Sequence, residues 1–333
     1  MSKIIENPKS YTGRELETIF FRPMLSGPSA IDLGVRIMYN MPVPTMLNFW
    51  HREGDVLQKY AKGWNGGELA KRFQKEIRLS KVKAEMGYSA SDYFGMIYEL
   101  ITNSGAVNLD DLSGTELEQA ETTLFRQAIA ESIRATMWLG DTERASGSYT
   151  SFNGFLKAIK ADLQTTANTG KSFIRNVKIP AMSGADAAIS LFERMWNAAD
   201  DRLTAMKDEG NLVIQCTSDI YLNYEKSLED KPLESAFAAL QQGRKGLHWH
   251  GIPIVDVKVG SYLSSFADMP QSFAILTDKR NMALAVHTAD LPGNEVRMWY
   301  NPDEMENRQR AIFMAGADYL LPELLTVAVE ADV

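Results

Sequence analysis

A chain of 333 residues, 45% hydrophobic and 23% charged, is long enough for two subdomains and too apolar for a disordered protein. Its net charge of −8 argues against a dedicated nucleic-acid-binding surface, and its one cysteine, Cys216, excludes an intrachain disulfide and a cysteine-based zinc site. The N-terminus lacks the basic-then-apolar pattern of a signal peptide, and no apolar run reaches the roughly 18–20 residues a bilayer span requires, so a soluble intracellular product without a membrane partner is expected.

The first ten residues are polar, contain Pro8 and read as an extended arm. Thr12–Met24 carries Leu16, Ile19 and Phe20 at helical spacing. Residues 35–85 form an excursion. Pro42 and Pro44 remove ladder donors and exclude a central strand. A glycine-rich turn follows at 62–67, and the return segment 73–83 alternates Ile77 and Leu79 with charged residues. The pattern predicts a two-stranded hairpin, marginal by itself in water and in need of cover from outside. Tyr93–Ile101 reads as a short helix. The clearest helix is 114–139, where Ser113 and Glu116 fit a capping box and an apolar stripe runs from Leu117 to Met137. Gly140 is placed to end it in a left-handed conformation. At about 1.5 Å per residue this helix is roughly 35–40 Å long, enough to serve as the spine of a domain.

Beyond it, Tyr149–Ile159 reads as a strand or turn feeding a loop, and Asp186–Ala205 as one amphipathic helix. Asn211–Thr217 is a strand, and Tyr221–Glu229 and Ser235–Gln241 are helical. Four more strands are expected at His250–Val259, Gln271–Thr277, Met282–His287 and Val296–Tyr300. A helix-like piece over Arg308–Ala315 precedes a last strand at Leu324–Val329. Runs of helix and strand without regular alternation make this an α+β chain.

Candidate chemistry is sparse. His248 and His250 precede a strand at a spacing that places both on one face, so they are candidate metal ligands, with Asp256 or Asp268 as a third. The competing reading makes them polar surface beside Trp249. Asp110–Asp111 and Asp200–Asp201 are carboxylate pairs that could hold a divalent cation or face helix N-termini. Trp64 is a candidate stacking residue or interface anchor. Lys71–Lys83 has six basic residues against one acid and suits either phosphate or an acidic neighbouring chain. There is no phosphate loop, dinucleotide fingerprint or nucleophile elbow. No catalytic constellation emerges, no enzyme activity and no cofactor are expected, and the arm, ribbon and long helix suit a protein built for contacts.

The order of elements resembles the major capsid protein of tailed bacteriophages, the Hong Kong 97 fold. Ile133–Asp141 is similar to the family's spine helix closing on an apolar–Gly–Asp turn. Gly246–Val259 looks like its Trp-x-Gly-x-Pro-Ile strand. Ala274–Leu284 resembles the strand–turn–strand that follows, and Arg310–Gly316 through Val329 its ending. The resemblance implies an N-terminal arm (1–34), an E-loop hairpin (35–85), a peripheral domain (86–180 and 276–333) and an axial domain (181–275). It also implies pentamers and hexamers closing into an icosahedral shell around packaged double-stranded DNA, assembled in the host cytoplasm and kept in the virion. Implied partners are further copies of the chain, a separate scaffolding protein, a portal, decoration proteins and non-specific DNA contact. Encapsulins share the fold, so a cellular nanocompartment shell is the alternative. A metal-dependent hydrolase using His248 and His250 is the alternative from another class.

Overall fold

The computed structural model describes residues 9–11, 34–39, 45–52, 62, 70–89, 116–145, 147–169, 174–229, 246–266, 268–287, 295–301, 303–304 and 306–329. The expectations for Thr12–Met24, Trp64, Tyr93–Ile101, Asp110–Asp111 and Ser235–Gln241 lie outside them.

Among the described residues two six-stranded sheets carry the fold. The first contains β1 (Lys9–Tyr11), β2 (Arg36–Tyr39), β5 (Ser80–Ser89), β11 (Met282–His287), β12 (Glu295–Asn301) and β13 (Glu306–Tyr319). The second runs in the order β6 (Arg175–Lys178), β14 (Leu325–Val329), β10 (Phe273–Asp278), β7 (Leu212–Cys216), β9 (Ile252–Asp256), β8 (His248–Trp249). Every residue of β7, β10, β11 and β14 is buried. These are the short apolar runs of the sequence, covered on both faces. A separate two-stranded sheet pairs β3 (Thr45–Arg52) with β4 (Ala70–Ile77), as the excursion predicts.

Among the described residues the helices are α1 (Glu116–Leu139), α2 (Phe155–Thr169), α3 (Ala187–Ala198), α4 (Asp201–Ala205), α5 (Ser218–Glu229) and α6 (Gly260–Leu263). Phe125, Ile129, Ile133 and Met137 of α1 and Phe155, Leu156 and Ile159 of α2 join one core with Phe273, Ile275, Leu284, Phe313 and Val327. Both sheets therefore share one helical layer. Trp138 sits at the junction, 5.3 Å from Phe155 and 5.5 Å from Phe273 between ring centres. The opposite face of the second sheet, with Ile214, Cys216, Ala274 and Leu276, packs against Leu191 and Phe192 of α3 and Ile220 of α5.

Four expectations are corrected. Arg308–Ala315 is strand, not helix, and belongs to β13. Asn307, Gln309, Ala311, Phe313 and Ala315 are buried in alternation with half-covered neighbours, a period of two. With β12 and β5 on its two sides, this segment sends its backbone hydrogen bonds to other strands. Residues 155–159 are helical, because Phe155, Leu156 and Ile159 line one face of a turn that a strand would split. The helix expected over 186–205 breaks where Ala199 is extended, at ψ 151°. Asp200 then restarts it as an N-cap, its carboxylate accepting from the Arg202 amide at 3.0 Å. Gly140 is not left-handed. The chain needs glycine there because a Cβ would overlap the Phe152 carbonyl oxygen.

Candidate functional site

At the base of the β3–β4 hairpin, apolar and polar contacts tie β4 to the body of the fold. Ile77, fully buried, packs with Met38, Ala283, Ala285 and Leu320. Lys75 lies two residues earlier on the same face of the strand. Its Nζ sits 2.9 Å from Asp318 Oδ1 and 4.1 Å from the centre of the Tyr319 ring, and it also donates to the Tyr319 carbonyl. The Tyr319 amide donates to Asp318 Oδ1 at 2.8 Å, and the Tyr319 hydroxyl donates to Asp162 of α2. Burial pushes the Asp318 carboxyl up, against the pull of Lys75, and burial followed by the Asp162 hydrogen bond pushes the Tyr319 phenol up. Just beyond, the chain passes so close to β13 that a Cβ on Gly316 would overlap the Arg78 carbonyl oxygen.

This changes the reading of the basic run 71–83. The charge of Lys75 is matched within its own chain, and Lys83 pairs with Glu85 at 2.8 Å on the surface. No sequence signal could have paired Lys75 with a carboxylate 243 positions away.

The histidine pair loses the geometry that made it a metal candidate. His248 pairs with Pro253 and Trp249 with Ile252, which leaves His250 and Gly251 as a two-residue turn. Their φ values of 48° and 84° are those of a type I′ turn, in which a strand's same-face relation does not hold. The His250 ring stands edge-on to Trp249 at 4.5 Å. Trp249 is buried against Phe192 and Trp196, and the His248 carbonyl accepts the Tyr224 hydroxyl at 2.9 Å. Asp256 accepts from Ser218 Oγ at 2.9 Å, and Asp268 pairs with Arg144 at 3.4 Å. Among the described residues no group of three or more His, Cys, Asp or Glu is placed to hold a metal ion. The Asp200 carboxyl is lowered, first by its side-chain bond to Arg202, so Asp200 acts as a helix cap. Cys216 is fully buried, and that burial pushes its thiol well up.

A surface groove of about 370 Å³ lies over α5, lined by Met182, Asp219, Leu222, Asn223 and Lys226. Asn223 closes one wall by donating to the Met182 and Gly184 carbonyls at 3.1 and 2.9 Å. Asp219 is already engaged, accepting from Ser272 Oγ at 2.6 Å.

No family model and no curated protein match the chain. Solved structures do. A chain of "Satellite phage P4 procapsid including size determination (Sid) protein" superposes with a TM-score of 0.56 at 9% identity, over 93% of this chain and 89% of that one. A chain from Gordonia phage Cozz gives a TM-score of 0.51 at 13% identity, over 92% and 87%. A chain from the capsid of an empty GTA particle gives 0.50 at 13% identity, over 92% and 90%. The chain has the Hong Kong 97 fold. At 9–13% identity this likeness is one of architecture. In its terms α1 is the spine helix and β3–β4 the extended hairpin.

Proposed function

We propose that the chain is the major capsid protein of a tailed bacteriophage, a non-enzymatic subunit that forms pentamers and hexamers and closes an icosahedral shell around packaged DNA. The observation that carries this reading is the agreement in fold with phage and GTA capsid structures over more than nine-tenths of the chain. Residues 1–34 are assigned as the arm and 35–85 as the E-loop. Residues 86–180 with 276–333 form the peripheral domain, and 181–275 the axial domain. The axial sheet also takes in β6 and β14 from outside those bounds, as the first sheet takes in β2 and the start of β5 from within 35–85. A two-stranded hairpin in a sheet of its own gains stability by lying across a neighbouring copy. A separate scaffolding protein, a portal, decoration proteins and non-specific DNA contact are the partners this role entails, with assembly in the host cytoplasm and a final place in the virion.

Expression followed by negative-stain microscopy tests the reading: capsomers or closed particles are expected, and a protein that remains monomeric even at high concentration overturns it. Excising residues 48–74, which spares Lys75 and Ile77, should leave a folded subunit that no longer closes shells. Normal particles from that variant would remove the hairpin from the assembly mechanism.

A further inference from the structure

We propose that Lys75 is the positioning residue of the β3–β4 hairpin: its seat on Asp318 and the Tyr319 carbonyl fixes the angle at which the hairpin leaves the body, and hence its reach onto a second copy of the chain. The second half of this statement rests on the shell reading. The first half stands on the geometry of one subunit.

Two contacts on one face of β4 hold the hairpin base. Ile77 is an apolar plug, and burial of apolar surface is non-directional, so it anchors without setting an angle. Lys75 supplies direction. Its ammonium meets a carboxylate, a carbonyl and an aromatic face at once, and charged hydrogen bonds carry a preferred geometry. The seat is itself fixed, because Tyr319 is 1% exposed, bonds Asp318 through its amide and reaches α2 through its hydroxyl. The contacts run unbroken from β4 through β13 to the helical layer.

Leverage makes the angle matter. The eight residues of β4 span roughly 26 Å at about 3.3 Å per residue, so a 10° swing at the base moves the far end by about 4–5 Å. A displacement of that size exceeds the tolerance of interdigitating side chains.

The test places spin labels at Lys62→Cys, in the connection between the hairpin strands, and Gln127→Cys, on the exposed face of α1, in a Cys216→Ala background. Inter-label distances are then measured by electron–electron resonance in the full-length subunit. Lys75→Met should broaden the distribution about twofold and Lys75→Arg should restore it, while the melting temperature of both stays near that of the parent. Asp318→Asn should broaden it from the other side of the pair. Equal widths for the parent, Lys75→Met and Asp318→Asn would overturn the positioning role. The same variants are then scored for particles. Closed shells in wild-type yield from Lys75→Met, despite a broadened hairpin, would overturn the link to reach. An unlabelled wild type that remains monomeric even at high concentration would sink the shell reading alone, because the distances decide the positioning role independently.

Discussion

The backbones of Gly140 and Gly154 lie against each other: the Gly154 amide donates to the Gly140 carbonyl at 2.8 Å, joining the end of α1 to the start of α2. A Cβ on Gly154 would stand 2.8 Å from the Gly140 nitrogen and 2.7 Å from the Thr136 carbonyl oxygen, both inside contact distance. Neither obstacle is a flexible side-chain end, so the backbone itself must shift. Gly140→Ala and Gly154→Ala should each cost about 3 kcal/mol, the upper range for overpacking, read from the midpoint of urea unfolding. Gly184→Ala is the control. Its Cβ would meet only the Ala187 Cβ, at 3.8 Å, and its stability should stay within about 0.5 kcal/mol of wild type.

The His250–Gly251 turn makes a second prediction. Histidine tolerates φ of 48° less well than asparagine, the residue most at home at the first central position of a type I′ turn. His250→Asn should leave stability equal or raise it by a few tenths of a kcal/mol, after loss of the edge contact with Trp249. His250→Val places a β-branched residue in the left-handed region and should cost about 1–2 kcal/mol. Thermal unfolding of the two variants separates these outcomes; a valine variant as stable as the asparagine one would contradict the turn assignment.

β13 carries an internal conflict. Asn307 and Gln309 are 0% and 1% exposed, and among the described residues neither side-chain amide has a hydrogen-bond partner. A buried amide without partners costs about 1–3 kcal/mol. Gln309→Met keeps the length of the side chain and removes both unsatisfied atoms. It should therefore raise stability by about 1 kcal/mol in urea titration. A loss of that size would show that the amide is satisfied in solution, by water or by a rearranged neighbour.

The same strand shows where sequence reasoning stops. Met282–His287 and Leu325–Val329 are legible because an apolar run of five or six residues has few alternatives to a buried strand. Arg308–Ala315 misleads because the half-covered Ile312 and Met314 join Ala311, Phe313 and Ala315 in a five-residue apolar block that hides the alternation. Only the neighbouring strands β5 and β12 settle the period. Phe155–Thr169 is legible: Phe155, Leu156, Ile159 and Leu163 recur at helical spacing, and the expectation reads that segment only as far as Ile159. The His248–Val259 motif marks the fold correctly, yet its histidines point to chemistry that the turn does away with. The seat of Lys75 was out of reach, since Asp318 and Tyr319 become its neighbours only once β13 is known to be a strand.

Two carboxylates with opposite displacements yield the last prediction. Burial raises the Asp141 carboxyl, but the hydrogen bonds from Lys157 and the Glu143 amide, with the nearby charges of Lys157 and Arg144, bring it below its ordinary value. A depressed folded value means stability that is present above the unfolded value and lost as pH falls through the folded one. Asp141→Asn should thus cost about 1.5–3 kcal/mol at pH 7, the range for hydrogen bonds to charged groups, with the gap to wild type closing below about pH 3–4. Asp318 runs the other way. Its raised folded value adds stability below the ordinary carboxylate range, and that stability is lost as pH rises through the folded value. The difference between wild type and Asp318→Asn should therefore shift in favour of the variant as pH rises from about 4 to 7. Urea midpoints of both variants at pH 3, 5 and 7 check the signs. Acid also removes the charge that holds Lys75, in the presence of the other groups facing it, Tyr319 and Asp162. The hairpin is thus released on the acid side while the fold is not weakened by this group, so spin-label distances should broaden at a pH where the unfolding midpoint shows no loss from Asp318. Broadening that appears only together with global unfolding would refute the separation of latch from fold.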